Sequence, residues 1–444
     1  MFLCSDCGFE SKKWLGKCTS CGSFNTMKEF KESKITKISK VFSKDANNKE
    51  VKKLSNFENF IEEKIITEVQ EFDRVLSGGI QNSSVILVSG PPGIGKSTLL
   101  LQIANNLSKR QKVLYVSGEE SGNQVLDRAK RLTLTLEDVD FLNNTCVEAI
   151  IEVAKDIDAK LLIVDSIQTI YSSEVEGNIG SVSQVRTATA ILTNYAKENN
   201  VAIVIVGHVN KDGQVAGPKV LEHIVDTIIN FEESHEYGTR ILKCVKNRFG
   251  SVNEIGIFQM TETGLVCVTN PSEFFLSSGT NSRVFFATSE SKRSFLLEVE
   301  ALVTKSYIPV PRRVVIGWDN DRLSVVLALF SKNGLKFYEN DVYVTIASGF
   351  STQESTADLS FAIAILKNYF NLNLSDICAI GEIGLSGVIK GKYKIKERVL
   401  EAKKFGVKTF IIPDVDLKID GVLLIKVTNI KQLIHEVQKL AQAL

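Results

Sequence analysis

The chain has 444 residues, 53 Lys and Arg against 52 Asp and Glu, and an apolar share of 44%. That balance excludes a uniformly basic or acidic chain and predicts a globular protein of two to four domains. No apolar run approaches the roughly 18 residues needed to span a bilayer. Met1-Phe2-Leu3-Cys4 lacks the charged start and apolar core of a signal peptide, so a cytoplasmic protein without a membrane partner is expected. The 8 cysteines are too sparse for a disulfide scaffold, and their clustering at the start points to metal.

Residues 1–30 carry Cys4-x-x-Cys7 and Cys18-x-x-Cys21. Each pair places two thiolates on a tight knuckle, and together they complete a tetrahedral site for Zn²⁺. Gly8 and Gly22 follow the second Cys of each pair, where a backbone turning toward metal needs positive φ. So short a segment buries little core, so metal supplies its folding energy. With every position filled by thiolate, the site is expected to be structural. Residues 31–56 hold Lys31, Lys34, Lys37, Lys40, Lys44, Lys49, Lys52 and Lys53 against Glu32, Asp45 and Glu50. This reads as a flexible, positively charged linker.

Residues 57–270 read as an ATPase. Val85 to Val88 is a buried-strand signal, followed at once by Gly90-Pro91-Pro92-Gly93-Ile94-Gly95-Lys96-Ser97-Thr98 and an apolar helical run. Strand, glycine-rich loop and helix are the context a phosphate loop requires. Backbone N–H groups and the helix N-terminus face phosphate oxygens. Lys96 reaches the β/γ-phosphates of ATP, and Ser97 holds Mg²⁺. Lys112 to Ser117 is a second strand, ending at Glu119 and Glu120; Leu161 to Asp165 is a third, ending in an acid suited to hold Mg²⁺ through water. Val201 to Val206 is another, ending at His208. The strand–helix alternation predicts a mostly parallel, doubly wound sheet with the site at the strand carboxyl ends. Glu119 is the candidate for orienting or deprotonating the attacking water, with Glu120 as the alternative. His208 is a candidate γ-phosphate sensor, or else a structural histidine. Ile241 to Val245 and Glu254 to Met260 predict a late hairpin around Lys246-Asn247-Arg248-Phe249-Gly250. Lys246 and Arg248 are either solvated or arginine-finger-type groups for a neighbouring subunit.

Residues 275–444 have no phosphate loop, and their strands and helices do not alternate cleanly, which predicts an α+β domain. Helices are expected over Asp321–Phe330, Thr356–Tyr369, Glu397–Phe405 and Ile430–Leu440, with strands including Tyr343–Ala347 and Thr409–Pro413. Lys390, Lys392, Lys394 and Lys396 alternate with Gly391, Tyr393 and Ile395. In a strand that puts four ammoniums on one face, either to track a nucleic-acid backbone or to guard an edge against aggregation.

These motifs, with Thr67…Asp73-Arg74-Val75-Leu76-x-Gly78-Gly79, Tyr115–Ser121, Val164–Gln168, Gly180–Arg186, Gly207–Gly213 and Ala216–His223, resemble the bacterial RadA (Sms) family along nearly the whole chain. The resemblance implies an N-terminal zinc finger, a RecA-like P-loop ATPase core and a C-terminal Lon-protease-like domain. It implies a DNA-dependent ATPase of recombination and repair. Such proteins form hexameric rings on single-stranded DNA, drive branch migration of recombination intermediates and work beside the RecA recombinase. It also implies that Lys96, Ser97 and Asp165 bind ATP and Mg²⁺, that Glu119 is the catalytic carboxylate, and that His208 is a switch. By the same resemblance, Lys246 and Arg248 act across the subunit interface, and Arg186, Lys211 and Lys219 lie on or beside DNA-facing loops. In the Lon-like stretch Glu354–Leu359, Thr356 stands where a nucleophilic Ser is expected, Asp358 replaces a small glycine, and Lys396 falls near the Lys base. Two other functions stay open here: an ATP-dependent Lon-like peptidase, and a nucleotide-switched assembly that does not translocate.

Overall fold

The computed structural model describes residues 2–4, 10–11, 13–19, 22, 24–29, 64–208, 221–233, 238–252, 254–276, 283–290, 293–347, 350–391 and 393–442. It comprises two compact units, Met1–Glu233 with Arg240–Cys267, and Ser234–Thr239 with Val268–Leu444. Among the described residues no helix is long and apolar enough to cross a membrane.

The first residues form a small antiparallel sheet of β1 (Phe2–Cys4), β2 (Glu10–Ser11) and β3 (Met27–Glu29), with β1 in the middle. Its core is Cys4, Cys18 and Met27, with Phe2 and Leu15 packed against them. Gly22 has φ +77, as a turn toward a metal requires.

After α1 (Gln70–Val75), the first unit is built on β4 (Val85–Gly90), whose residues are all buried. Ile86 and Val88 face one way and pack with Leu99, Leu100 and Ile103 of α2 (Lys96–Ser108). Val85 and Leu87 face the other and pack with Val185, Ala188 and Leu192 of a later helix. A strand covered on both faces reads as a continuous apolar run rather than an alternating one. The chain continues through β5 (Val113–Ser117), α3 (Gly122–Arg131), β6 (Val139–Leu142), α4 (Val147–Asp156) and β7 (Leu161–Asp165). Next come α5 (Val182–Asn199), β8 (Ala202–His208) and β9 (Thr227–Glu233). The antiparallel strands β10 (Thr239–Asn247), β11 (Ile255–Thr261) and β12 (Gly264–Cys267) close the unit. The nine-stranded order is β12-β11-β10-β9-β4-β8-β7-β5-β6. From β9 to β6 every pairing is parallel. This is the expected mostly parallel, doubly wound sheet, with β10 and β11 the expected late hairpin.

The second unit opens with α6 (Pro271–Phe275), β13 (Val284–Glu290), β14 (Arg293–Lys305), β15 (Arg313–Ile316), α7 (Asn320–Lys332) and β16 (Asn340–Ile346). Then follow α8 (Asp358–Tyr369), β17 (Ile377–Ala379), the hairpin of β18 (Glu382–Ile383) and β19 (Ile389–Lys390), and α9 (Ile395–Lys404). β20 (Thr409–Pro413), β21 (Leu423–Val427) and α10 (Ile430–Gln442) end it. Its sheet, β15-β16-β14-β13-β17-β20-β21, mixes parallel and antiparallel neighbours, as an α+β domain does.

Three expectations for this unit are corrected. The lysines after Ile389 do not share a strand face. β19 stops at Lys390, Gly391 has φ +121, Lys394 sits at φ +50, and Lys396 is already in α9. The glycine and the left-handed turn break the extended run, so alternation in sequence does not become alternation in space. Lys390 pairs with Glu382 at 3.3 Å and Lys394 lies 5.1 Å from the Tyr393 ring centre, while Lys392 lies outside the described residues. Second, the helix begins at Asp358 rather than Thr356, with Ser355–Ala357 a 3₁₀ turn.

Third, the cation beside Thr356 is Arg398 and not Lys396, which is exposed. Arg398 is 1% exposed. It donates to the Ala287 carbonyl at 2.9 Å and the Thr356 hydroxyl at 3.2 Å, and it forms an ion pair with Glu354. The Thr356 hydroxyl donates in turn to Glu354 at 3.1 Å. Asp358, fully buried, is paired with Arg322 and accepts from the Ile383 N–H at 2.9 Å. A buried ion pair loses most when one partner is removed, because the other charge stays desolvated. Glu354→Gln is therefore expected to destabilise this unit by about 3 kcal/mol, read as an earlier urea transition of its near-ultraviolet signal.

Candidate active site

The phosphate loop joins β4 to α2. Gly93 has φ +77 with nothing within 4 Å of a built Cβ, and Gly95 has φ +115. A Cβ on Gly90 would lie 2.8 Å from the Phe231 backbone oxygen, so only glycine lets the loop pass β9. Lys96 is 4% exposed, and its ammonium turns back into the loop. It donates to the carbonyls of Gly90 at 2.8 Å and Pro91 at 2.9 Å, and contacts His208 Nδ1 at 3.3 Å. Burial pushes its pKa down to about 8, partly offset by Asp165 and Glu119.

An ammonium only donates, so His208 Nδ1 accepts and the ring proton sits on Nε2. Nε2 faces Glu119 Oε1 at 3.4 Å. Glu119 also accepts from the Ser166 hydroxyl. Asp165 is 7% exposed and accepts from the Tyr115 phenol at 2.8 Å. Burial, then the Asp165 charge, raises the Tyr115 pKa, so the phenol stays a donor. The strand ends of β4, β5, β7 and β8 thus bring Lys96, Glu119, Asp165 and His208 together. The two adjacent glutamates part company: Glu120 forms an ion pair with Arg128 of α3.

Lys246 and Arg248 have partners within the chain. Lys246 Nζ donates to the carbonyls of Glu222 at 2.5 Å and Val225 at 2.7 Å, and burial, then Arg248, lowers its pKa. Arg248 pairs with Asp226 at 2.9 Å, and Asp226 also accepts from the Val85 N–H at 3.1 Å. Arg186 lies on α5 rather than on a loop, because the helix begins at Val182. Lys211 and Lys219 lie outside the described residues.

Sequence reasoning missed Tyr115, Ser166 and Asp226. Tyr115 and Ser166 lay inside motifs already singled out but had no role assigned, and Asp226 was signalled only by its place directly before β9.

The glycine cradle, the inward ammonium and the carboxylate beyond it suit a nucleotide polyphosphate with its Mg²⁺. Ser97, which follows Lys96 in the first turn of α2, and Asp165 would hold the metal. For zinc, Cys4 and Cys18 are 0% and 1% exposed and sit together in the ribbon core. Thiols brought together in so small a core are the donors a structural zinc takes. Cys7 and Cys21 lie outside the described residues.

Fold and site together define a P-loop ATPase. A family model described as "AAA domain" matches residues 52–214. "Rubredoxin metal binding domain" matches 2–29, and "Subunit ChlI of Mg-chelatase" matches 320–416. The DNA repair protein RadA of Aquifex aeolicus is 42% identical over 439 residues, covering 98% of each chain. Those of Bacillus subtilis and Escherichia coli are 41% and 40% identical, covering 97% and 93% of this chain and 97% and 92% of theirs. A crystal structure of the RadB recombinase aligns with 46% of this chain and 98% of its own, at 23% identity and TM-score 0.37. The chain belongs to the RadA family of DNA repair proteins.

A polyphosphate beside Lys96 favours its charged form, so nucleotide binding takes up a proton above pH about 8. Nucleotide affinity should fall with rising pH there, by up to about tenfold per unit. Calorimetry in two buffers of different ionisation heat checks this, and Lys96→Met should abolish the dependence on buffer. Tyr115→Phe keeps the ring and removes the hydrogen bond to Asp165. It should weaken Mn²⁺ binding to the ADP complex about threefold to tenfold, an energy of order 1 kcal/mol, as read by electron spin resonance.

Proposed function

We propose that this protein is a DNA-dependent ATPase motor, a hexameric ring on single-stranded DNA that promotes branch migration of recombination intermediates. The observation that carries this reading is the contact chain Lys96–His208–Glu119. It ties the phosphate end of the site to the last residue of β8, from which residues 209–220 lead on. Lys96 binds the β/γ-phosphates, and Ser97 and Asp165 hold Mg²⁺. Glu119 orients the attacking water, its carboxylate kept in place by Ser166. His208 senses the γ-phosphate and passes its loss to the following segment, which holds Lys211 and Lys219. A ligand-gated contact of this kind is how hydrolysis moves a loop.

Lys246 and Arg248 serve the nucleotide of the next subunit. Within the chain they contact Glu222, Val225 and Asp226, and the trans role requires those contacts to be exchanged for phosphate. Arg186, Lys211, Lys219, Lys390, Lys392 and Lys394 supply sequence-independent contacts to single-stranded and branched DNA. The protein acts in the cytoplasm beside the RecA recombinase, with zinc holding its N-terminal ribbon.

The peptidase reading is disfavoured by a specific arrangement. Thr356 is bonded to Glu354 and Arg398, and a guanidinium does not deprotonate to act as a base. Thr356→Val should leave casein cleavage at background, as in the wild type. The motor reading is tested by branch migration on a synthetic four-way junction. Lys96→Ala should abolish ATPase stimulation by single-stranded DNA. Lys246→Ala and Arg248→Ala should each lower branch migration at least tenfold while retaining nucleotide binding. Undiminished branch migration in both would sink the trans-acting assignment.

A further inference from the structure

The N-terminal ribbon treats its aromatic residues in two ways. Phe2 packs against the Cys4, Cys18 and Met27 core. Trp14 and Phe24 stay outside it, 55% and 70% exposed. Trp14 is nonetheless fixed: its indole N–H donates to the Met27 carbonyl at 3.1 Å, and its six-membered ring lies over Gly16. Phe24 is fixed by a bridge to Lys17, and the neighbouring Asn25 N–H donates to the Gly16 carbonyl at 2.9 Å. The Lys17 ammonium stands 5.0 Å from the Phe24 ring centre, and Lys13 beside Trp14 is exposed. Both rings thus flank one short backbone ladder, each with a lysine next to it.

Exposed aromatic faces held rigid cost little to order on binding, and lysines beside them attract anions. Bases offer a π-face to such rings while phosphates pass the cations. An apolar protein surface would gain nothing from the ammonium over Phe24. We propose that Trp14, Phe24, Lys13 and Lys17 form a stacking platform for single-stranded DNA on the zinc ribbon, separate from the ATPase unit's DNA contacts. This rests on the DNA-binding reading above. Since the contacts that fix these residues all lie within the ribbon, binding to the platform is expected both without nucleotide and with ADP.

The test uses the full chain with Trp318→Phe, which leaves Trp14 as the sole tryptophan, since the sequence holds 2. Oligo(dT) is added at low salt, with Trp14 fluorescence and the anisotropy of labelled oligo(dT) read in parallel, without nucleotide and with ADP. Stacking quenches Trp14, saturating with the anisotropy. Phe24→Ala should weaken binding about tenfold, and Lys17→Ala should flatten the salt dependence, with zinc content unchanged in both. Anisotropy that rises while Trp14 fluorescence stays constant and Phe24→Ala binds normally overturns the platform but keeps the DNA reading. No anisotropy change in the parent chain overturns both. A fluorescence change produced by a protein partner and not by oligo(dT) assigns the surface to protein and overturns the proposal.

Discussion

Burying an ammonium ion is the constraint around which the ATPase unit is built. Lys96 is desolvated enough to move its pKa from 10.5 to about 8, so the fold must offer oxygen in place of water. Two loop carbonyls do so, and the carboxylates of Asp165 and Glu119 add a field that partly restores the charge. Those acids come from β5 and β7, and the histidine that takes the remaining contact comes from β8. Parallel neighbours put all these groups at one edge of the sheet, which an antiparallel order would not do.

A second buried cation shows the opposite outcome. Arg398 is as buried as Lys96, and Glu354, Thr356 and the Ala287 carbonyl engage its two terminal nitrogens, while its Nε is left without a partner. Lys96 is held by two loop carbonyls and a histidine, whereas Arg398 is held by a carboxylate, a hydroxyl and one carbonyl. The same physical problem is thus met mainly by neutral acceptors in one unit and by a paired carboxylate in the other. Burial pushes the Cys244 thiol up to about 11, and the Cys378 thiol, near Arg398, up to about 12.

Much of this was legible in the sequence because it lies in local pattern. The Val85–Val88 run, the glycine spacing and the acids at strand ends each specify a strand, a loop or a carboxyl terminus without knowledge of distant neighbours. What was illegible depends on backbone turns or remote partners. The lysines from 390 onward look like one strand face until Gly391 and Lys394 adopt positive φ. Lys396 and Arg398 are equally plausible partners for Thr356 by position, and only the phase of α9 decides between them. Tyr115 is one more apolar-looking strand residue until β7 places Asp165 beside it, with Ser117 and Asp165 in register. Lys246 and Arg248 are on a signature turn, but their hold on the 222–226 segment comes from the fold.

Glu119 and Glu120 differ by one position and end in separate networks, one reaching Ser166 and His208, the other Arg128. The chain bends over residues 118–120, past the end of β5, and the two side chains leave that bend toward different neighbours. The stretch between β5 and α3 is therefore fixed in length. Loss or gain of a single residue there would change which carboxylate meets His208 and which meets Arg128. Point substitutions are a lesser threat to this turn than insertions and deletions, so over evolutionary time its length should vary less than its composition.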